Sequence, residues 1–207
     1  MGNHAEARVS EKRNSTGWAA TRGHRTGQEE LRLLARIGDG DRKAFEELYR
    51  LYHPRLTRFL INLVRRPPLV EEVLNDTLMV VWERGDSFNG TSKLSTWIFA
   101  IAYRKAMKAL RRQDEAVEDV EAERRTSSDP GPDDALGQRK LHSLLMQAMS
   151  ELSPDHRAVV DLTYFHEIGY REIASILECP VNTVKTRMFH ARRHLRLKLA
   201  GELADWL

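Results

Sequence analysis

The sequence predicts an all-α fold: two small helical domains joined by a flexible acidic linker, the second ending in a helix-turn-helix. Three observations lead there. Apolar residues recur at spacings of three and four in every patterned segment. No alternating stretch suggests a strand. A run of acids with Asp-Pro-Gly-Pro at 129–132 divides the patterned chain in two. The 207 residues, 41% of them hydrophobic, suffice for two small cores, and 30% charged with 7% aromatic favours helical lobes over a sandwich or barrel.

The elements follow in order. Residues 1–27 mix Gly, Ser, Thr, Asn and Arg without periodicity and read as a disordered tail. Leu31, Leu34, Ala35 and Ile37 form a short stripe that Gly38 and Gly40 stop. Asp41 can cap a second helix, which carries Phe45, Leu48, Tyr52, Leu56, Phe59, Leu60 and Leu63. Pro54 is expected to kink that helix, and Pro67 and Pro68 to lie beyond its end. A third helix carries Leu69, Val70, Val73, Leu74, Leu78, Val81 and Trp82, with Glu71, Glu72 and Asp76 on its other side. After a loop at Gly85, Asn89 and Gly90, a fourth helix opens near Ser95 and runs to about Arg112. These elements make a first domain over 28–112, and 113–137 is the acidic linker, rich in Asp and Glu. The second domain, 138–207, holds the stripe Leu141, Leu144, Leu145, Ala148 and Met149. Ser153-Pro154 then caps a helix, and Gly169 breaks it.

The segment from Tyr170 to Lys198 has the pattern of a helix-turn-helix. Ile173, Ala174 and Leu177 face inward on a short helix, Cys179-Pro180 turns the chain, and Val181, Val184 and Met188 face inward on the next. Between Glu178 and Glu202 there is no acid, while Lys185, Arg187, Arg192, Arg193, Arg196 and Lys198 are all basic. Asn182, Thr183, Lys185 and Thr186 near the helix start can offer donors to phosphates and base edges. The alternative is a solvated basic helix in a bundle. A second acid-free stretch, between Asp86 and Asp114, holds Lys93, Arg104, Lys105, Lys108, Arg111 and Arg112 with Trp97, Phe99 and Tyr103 interleaved. Bases beside aromatics suit single-stranded nucleic acid, where stacking adds about 1–3 kcal/mol per base; the alternative is that Trp97 and Phe99 belong to the core. On the third helix Glu72, Asn75, Asp76 and Trp82 form a mixed face suited to a protein partner or simply to water.

Other chemistries find little support. A single cysteine, Cys179, excludes an internal disulfide and a Cys-based zinc site within one chain, and the histidines are too scattered for a metal set. No cofactor or metal is expected. No apolar run approaches the roughly 20 residues of a membrane span, and no secretory leader is expected, so the expected location is the cytoplasm. The net charge of +3, with a pI near 9.1, agrees with an anionic partner without requiring one.

Three stretches together resemble the extracytoplasmic-function (ECF) group of bacterial RNA polymerase sigma factors: AFEELYRLYHPRLTRFL at 44–60, VEEVLNDTLMVVWERGDSFNGTSKLSTWIFAIAYRKAMKALRR at 70–112, and LSPDHRAVVDLTYFHEIGYREIASILECPVNTVKTRMFHARRHLR at 152–196. The resemblance covers roughly 28–200. It implies a non-enzymatic subunit that binds core RNA polymerase, directs it to promoters and helps open the DNA. Glu72, Asn75, Asp76, Leu78 and Trp82 would face the clamp helices of the largest subunit. The loop from Ser87 to Lys93, with Asn89 and Ser92, and the helix bearing Trp97, Tyr103, Arg104, Lys105, Lys108, Arg111 and Arg112 would serve the −10 element. Asn182, Thr183, Lys185, Thr186, Arg187, Phe189, His190, Arg192 and Arg193 would meet the −35 element. The linker would thread toward the RNA exit path, and an anti-sigma partner would clamp both lobes, holding the chain at the inner membrane or releasing it to the nucleoid. The chain departs from the family pattern at Ala100 and Arg104, where Arg and Asn are common; at Glu178, where Gly is usual; at His190, where Arg is common; and at Asn75, where Gln is usual. The rival readings are a stand-alone helix-turn-helix regulator, which residues 70–112 disfavour, and a helical hydrolase, for which Glu71, Glu72 and Asp76 lack a partner set.

Overall fold

The computed structural model of the chain describes residues 27–117 and 136–204. The expected tail and most of the expected linker fall at 1–26 and 118–135, outside the described residues. Among those described, every regular element is helical. They are α1 (Gly27–Gly38), α2 (Arg42–Val64), α3 (Pro67–Arg84), a 3-10 turn (Gly85–Ser87), α4 (Leu94–Val117), α5 (Leu136–Ser150), α6 (Pro154–Tyr164), α7 (Tyr170–Ile176) and α8 (Val181–Ala204).

Local chemistry sets the boundaries. Asp41 caps α2, its carboxylate accepting from the Lys43 and Ala44 amides at 2.9 and 3.2 Å. Pro54 lies within α2 and does not end it. The chain leaves α2 through Arg65, left-handed at φ 61, and Pro67 and Pro68 open α3, where a missing amide costs nothing. The Ser153 hydroxyl accepts from the His156 amide at 3.3 Å and caps α6. Helix α4 runs five residues past its expected end at Arg112, into the segment expected to be linker.

In the first lobe α2, α3 and α4 pack about Leu48, Leu56, Phe59, Leu60, Val81, Ile98 and Phe99, all fully buried, and α1 closes one side through Leu33, Leu34 and Ile37. Gly85 lets the 3-10 turn lie against α1, since a Cβ there would meet Leu34 Cδ1 at 3.0 Å. In the second lobe α6, α7 and α8 enclose Val159, Leu162, Ile173, Ile176, Val184 and Ala191.

The two lobes share one continuous core. Helix α2 packs on α6, and α4 packs on α7. The Phe99 ring lies 5.3 Å from Phe59 and 4.8 Å from the His166 ring of the other lobe. Arg157, buried on α6, donates to the Leu63 carbonyl at the end of α2 at 3.2 Å and to the Ser150 carbonyl at 3.1 Å. Burial pushes its guanidinium down to about 10, helped by the nearby Arg65 charge. Asp161, also buried, accepts from Asn62 of α2, and its other oxygen faces His166 Nε2 at 3.1 Å.

Candidate nucleic-acid and polymerase interface

The helix-turn-helix forms as the spacing predicts. Ile173 and Val184 are fully buried, and Ala174 and Met188 nearly so, which brings α7 close against α8. The Cys179 amide bonds back to the Ala174 carbonyl at 3.0 Å and closes the turn. Glu178 sits in that turn with φ 50, a left-handed conformation that side-chain-bearing residues adopt at a cost of about 1–2 kcal/mol. Burial raises the Cys179 thiol above its ordinary range, and the half-buried side chain packs against the core.

With Val184, Met188 and Ala191 inward, the opposite face of α8 presents Asn182, Lys185, Thr186, Phe189, His190, Arg192 and Arg193 to solvent. Phe189 is 64% exposed, a large apolar ring on a basic surface. Its ring meets His190 edge-on at 5.5 Å. Arg192 donates to the Tyr164 hydroxyl at 2.8 Å, so it is anchored at one edge of the face. Thr183 is half-buried. Arg187 departs from expectation: it turns inward, paired with the Asp155 carboxylate.

On the first lobe, Lys108, Arg111 and Arg112 are exposed along α4 and Lys105 is half-buried. Lys105 pairs with Asp76 at 2.9 Å and Arg112 with Glu72 at 3.2 Å, tying α4 to α3. Asn89 shapes the preceding loop, its carbonyl accepting from the Thr91 amide and hydroxyl at 3.1 and 2.7 Å, and Ser92 is exposed beside it. Trp97 is half-buried with its ring 5.5 Å from Phe88. Tyr103 is buried, 8% exposed, and its hydroxyl donates to Asp155 across the lobe boundary. Burial raises its hydroxyl far above the ordinary range, with the Asp155 bond adding to the shift. Lys93 and Arg104 also cross that boundary, meeting Glu172 and Glu178, each at 2.7 Å.

The face of α3 keeps Glu72, Asn75 and Asp76 exposed, with Trp82 half-buried against Phe45 at 5.1 Å. Leu78 is a correction. It is 2% exposed and part of the core, because its position on α3 shares the inward side with Leu74 and Val81.

The sequence pattern missed Asp155, Glu172, Glu178, Asn62, Arg157, Asp161 and His166 as residues that join the lobes. The one signal was Arg157 and Asp161, charged residues four apart on the stripe of α6 that also carries Ala158 and Leu162, where an apolar pair would be ordinary.

Comparison with known proteins assigns the family. The sigma-70 region 2 family profile matches residues 48–116, and the sigma-70 region 4 profile matches 142–195, together more than half the chain. Curated relatives include the ECF RNA polymerase sigma-E factor of Haemophilus influenzae, 28% identical over 81% of this chain and 93% of that one. The RNA polymerase sigma-H factor of Pseudomonas aeruginosa is 26% identical over 81% of this chain and 92% of its own. The chain is an ECF sigma factor of the sigma-70 family. Among solved structures, the sigma factor RpoE of Bartonella quintana, in complex with the anti-sigma factor NepR, is 28% identical with a TM-score of 0.65 over 76% of this chain and 98% of that one. CnrH, in complex with the cytosolic domain of CnrY, is 21% identical with a TM-score of 0.60 over 84% and 98%, and shares the fold. As a sigma factor, the chain acts in promoter-directed initiation by RNA polymerase. No described helix is long and apolar enough to cross a membrane.

Proposed function

We propose that this sigma factor divides promoter recognition between its lobes and contributes no catalysis of its own. The first domain, 28–112, would hold the clamp helices of the largest polymerase subunit through Glu72, Asn75, Asp76 and Trp82 on α3. Its loop with Asn89, Ser92 and Lys93, together with Trp97, Arg104, Lys105, Lys108, Arg111 and Arg112 on α4, would capture the −10 strand, with Tyr103 joining once it is uncovered. The second domain, 138–207, would place α8 in the −35 major groove. The observation that carries this reading is the outward face of α8 over residues 182–193: acid-free, basic and bearing the exposed Phe189 beside Lys185, Thr186 and His190. An α-helix fits the major groove, and such a face pairs phosphate contacts with apolar contact to a base edge.

Binding would be largely electrostatic and steeply salt-dependent. The site would work in the cytoplasm at the nucleoid. An anti-sigma partner is part of the proposal, supported by the RpoE–NepR complex; it would cover the α3 face and could keep the chain at the inner membrane. The test is run-off transcription with purified core polymerase on genomic fragments. Promoter-specific product is expected with core and this chain together. None on any fragment, or specific product without core, overturns the reading.

A further inference from the structure

Three acids of the second lobe each hold a residue assigned above to DNA. Glu172 of α7 meets Lys93, and Glu178 meets Arg104. Asp155, at the start of α6, accepts from Tyr103 and pairs with Arg187 of α8. Asp155 therefore occupies one residue from each of the two DNA-reading surfaces at once. Tyr103 is nearly inaccessible, packed in the core the lobes share. Glu178 does this from a left-handed backbone, φ 50, where glycine would relieve the strain and lose the carboxylate.

We propose that Asp155, Glu172 and Glu178 form an intramolecular latch. In the closed chain, the second lobe's own carboxylates stand where the phosphates of the −10 strand would bind, and the free chain must open before that strand can be read. The proposal rests on the DNA assignments made above. One exposed ion pair would contribute little. Here three such contacts act together where α4 meets the second lobe, which also holds the Phe99–His166 contact, so closure and strand binding compete for the same groups. A ligand that binds only the open form has its affinity reduced by the open fraction, so a chain closed nine times in ten binds about tenfold more weakly.

The test uses the full chain carrying D155N, E172Q and E178Q, which leaves every DNA-reading residue in place. Its binding is measured to a labelled single-stranded oligonucleotide carrying the −10 region of a promoter mapped with the holoenzyme, and to a scrambled oligonucleotide of the same length. The radius of gyration is measured by small-angle scattering. The expected result is roughly tenfold tighter binding to the −10 strand, a change of less than about threefold for the scrambled strand, and a larger radius. An unchanged radius, or equal tightening for both strands, overturns the latch. A second pair of variants decides the matter should the triple variant fail to fold: E178R is expected to enlarge the radius, and adding R104E to reduce it again. No change in either overturns the latch. The wild-type chain with core polymerase is run in parallel for promoter-specific product, so loss of the sigma-factor reading is seen separately.

Discussion

Phe189→Ala separates a DNA contact from a packing residue within one turn of α8. Phe189 is 64% exposed, and the preceding Met188 is 2% exposed. A phenylalanine side chain offers roughly 200 Å² to a partner, so about 130 Å² is free at Phe189. Burying all of it at about 25 cal/mol/Å² would contribute about 3 kcal/mol. One face against a groove wall buries about half, or about 1.5 kcal/mol, which is roughly tenfold in affinity. Phe189→Ala should therefore weaken holoenzyme binding to a −35-containing duplex about tenfold. It should leave chain stability within about 0.5 kcal/mol, because it removes nothing from the core. Met188→Ala should do the opposite to stability, costing about 2–5 kcal/mol through a cavity under the helix. The assays are competition binding on promoter duplex and thermal unfolding of each variant. The ring has one natural target, the thymine methyl, so replacing thymines of the −35 element with uracil should reproduce part of the loss in the wild type and none in Phe189→Ala. A large drop in melting temperature for Phe189→Ala, or unchanged duplex binding, would refute the placement of the ring on the DNA face.

Arg193→Gln removes one exposed cation from the α8 face, and the slope of log K against log salt for the holoenzyme on promoter duplex should become shallower by about 0.9; an unchanged slope would remove Arg193 from the phosphate contacts. Asp161→Ala takes the acceptor from half-buried Asn62 and the facing carboxylate from the His166 ring, and chemical denaturation should show a loss of roughly 1–3 kcal/mol; a loss below about 0.5 kcal/mol would mean the cluster does not hold the lobes. The His156 imidazole is held below its ordinary range, first by burial and then by the Arg187 charge. The unfolded chain therefore takes up a proton that the folded chain refuses. The His156 contribution to stability is full above the unfolded value of about 6.5 and declines as pH falls below it, levelling once the folded value is passed. His156→Gln should flatten that part of the stability profile, and an identical acid slope in wild type and variant would count against the assignment.

Much of the fold was legible because periodicity and punctuation agree along this chain. Asp41, the Pro67-Pro68 pair, Ser153-Pro154 and Cys179-Pro180 each mark a helix boundary through a mechanism that needs no distant partner. The inward set of the helix-turn-helix followed from spacing alone. Where expectation failed, the deciding contact was distant in sequence. Leu78 is the exception: the resemblance put it against the polymerase, while its own spacing, four after Leu74 and three before Val81, already set it in the apolar stripe. Tyr103 stood among bases on α4, and only the folded chain places Asp155 against it, 52 positions later.

The contacts between lobes were illegible for a related physical reason: complementary charges carry no address. Lys93, Arg104 and Arg187 have the composition of a DNA site whether they face phosphate or carboxylate, since both are anions with paired oxygen acceptors. Two positions nevertheless stood apart in the sequence, Arg104 and Glu178, each departing from the pattern of the resemblance, and the fold brings these two together at 2.7 Å. A strained turn residue and an unexpected base are each unexplained when taken singly. As a pair across the lobe boundary they account for one another: Glu178 keeps a carboxylate where glycine would be the easier residue, and Arg104 meets it from α4. In the latch proposed above, the same pairing would hold Arg104 on the second lobe in the free chain, so that a strand of DNA would compete with Glu178 for its guanidinium.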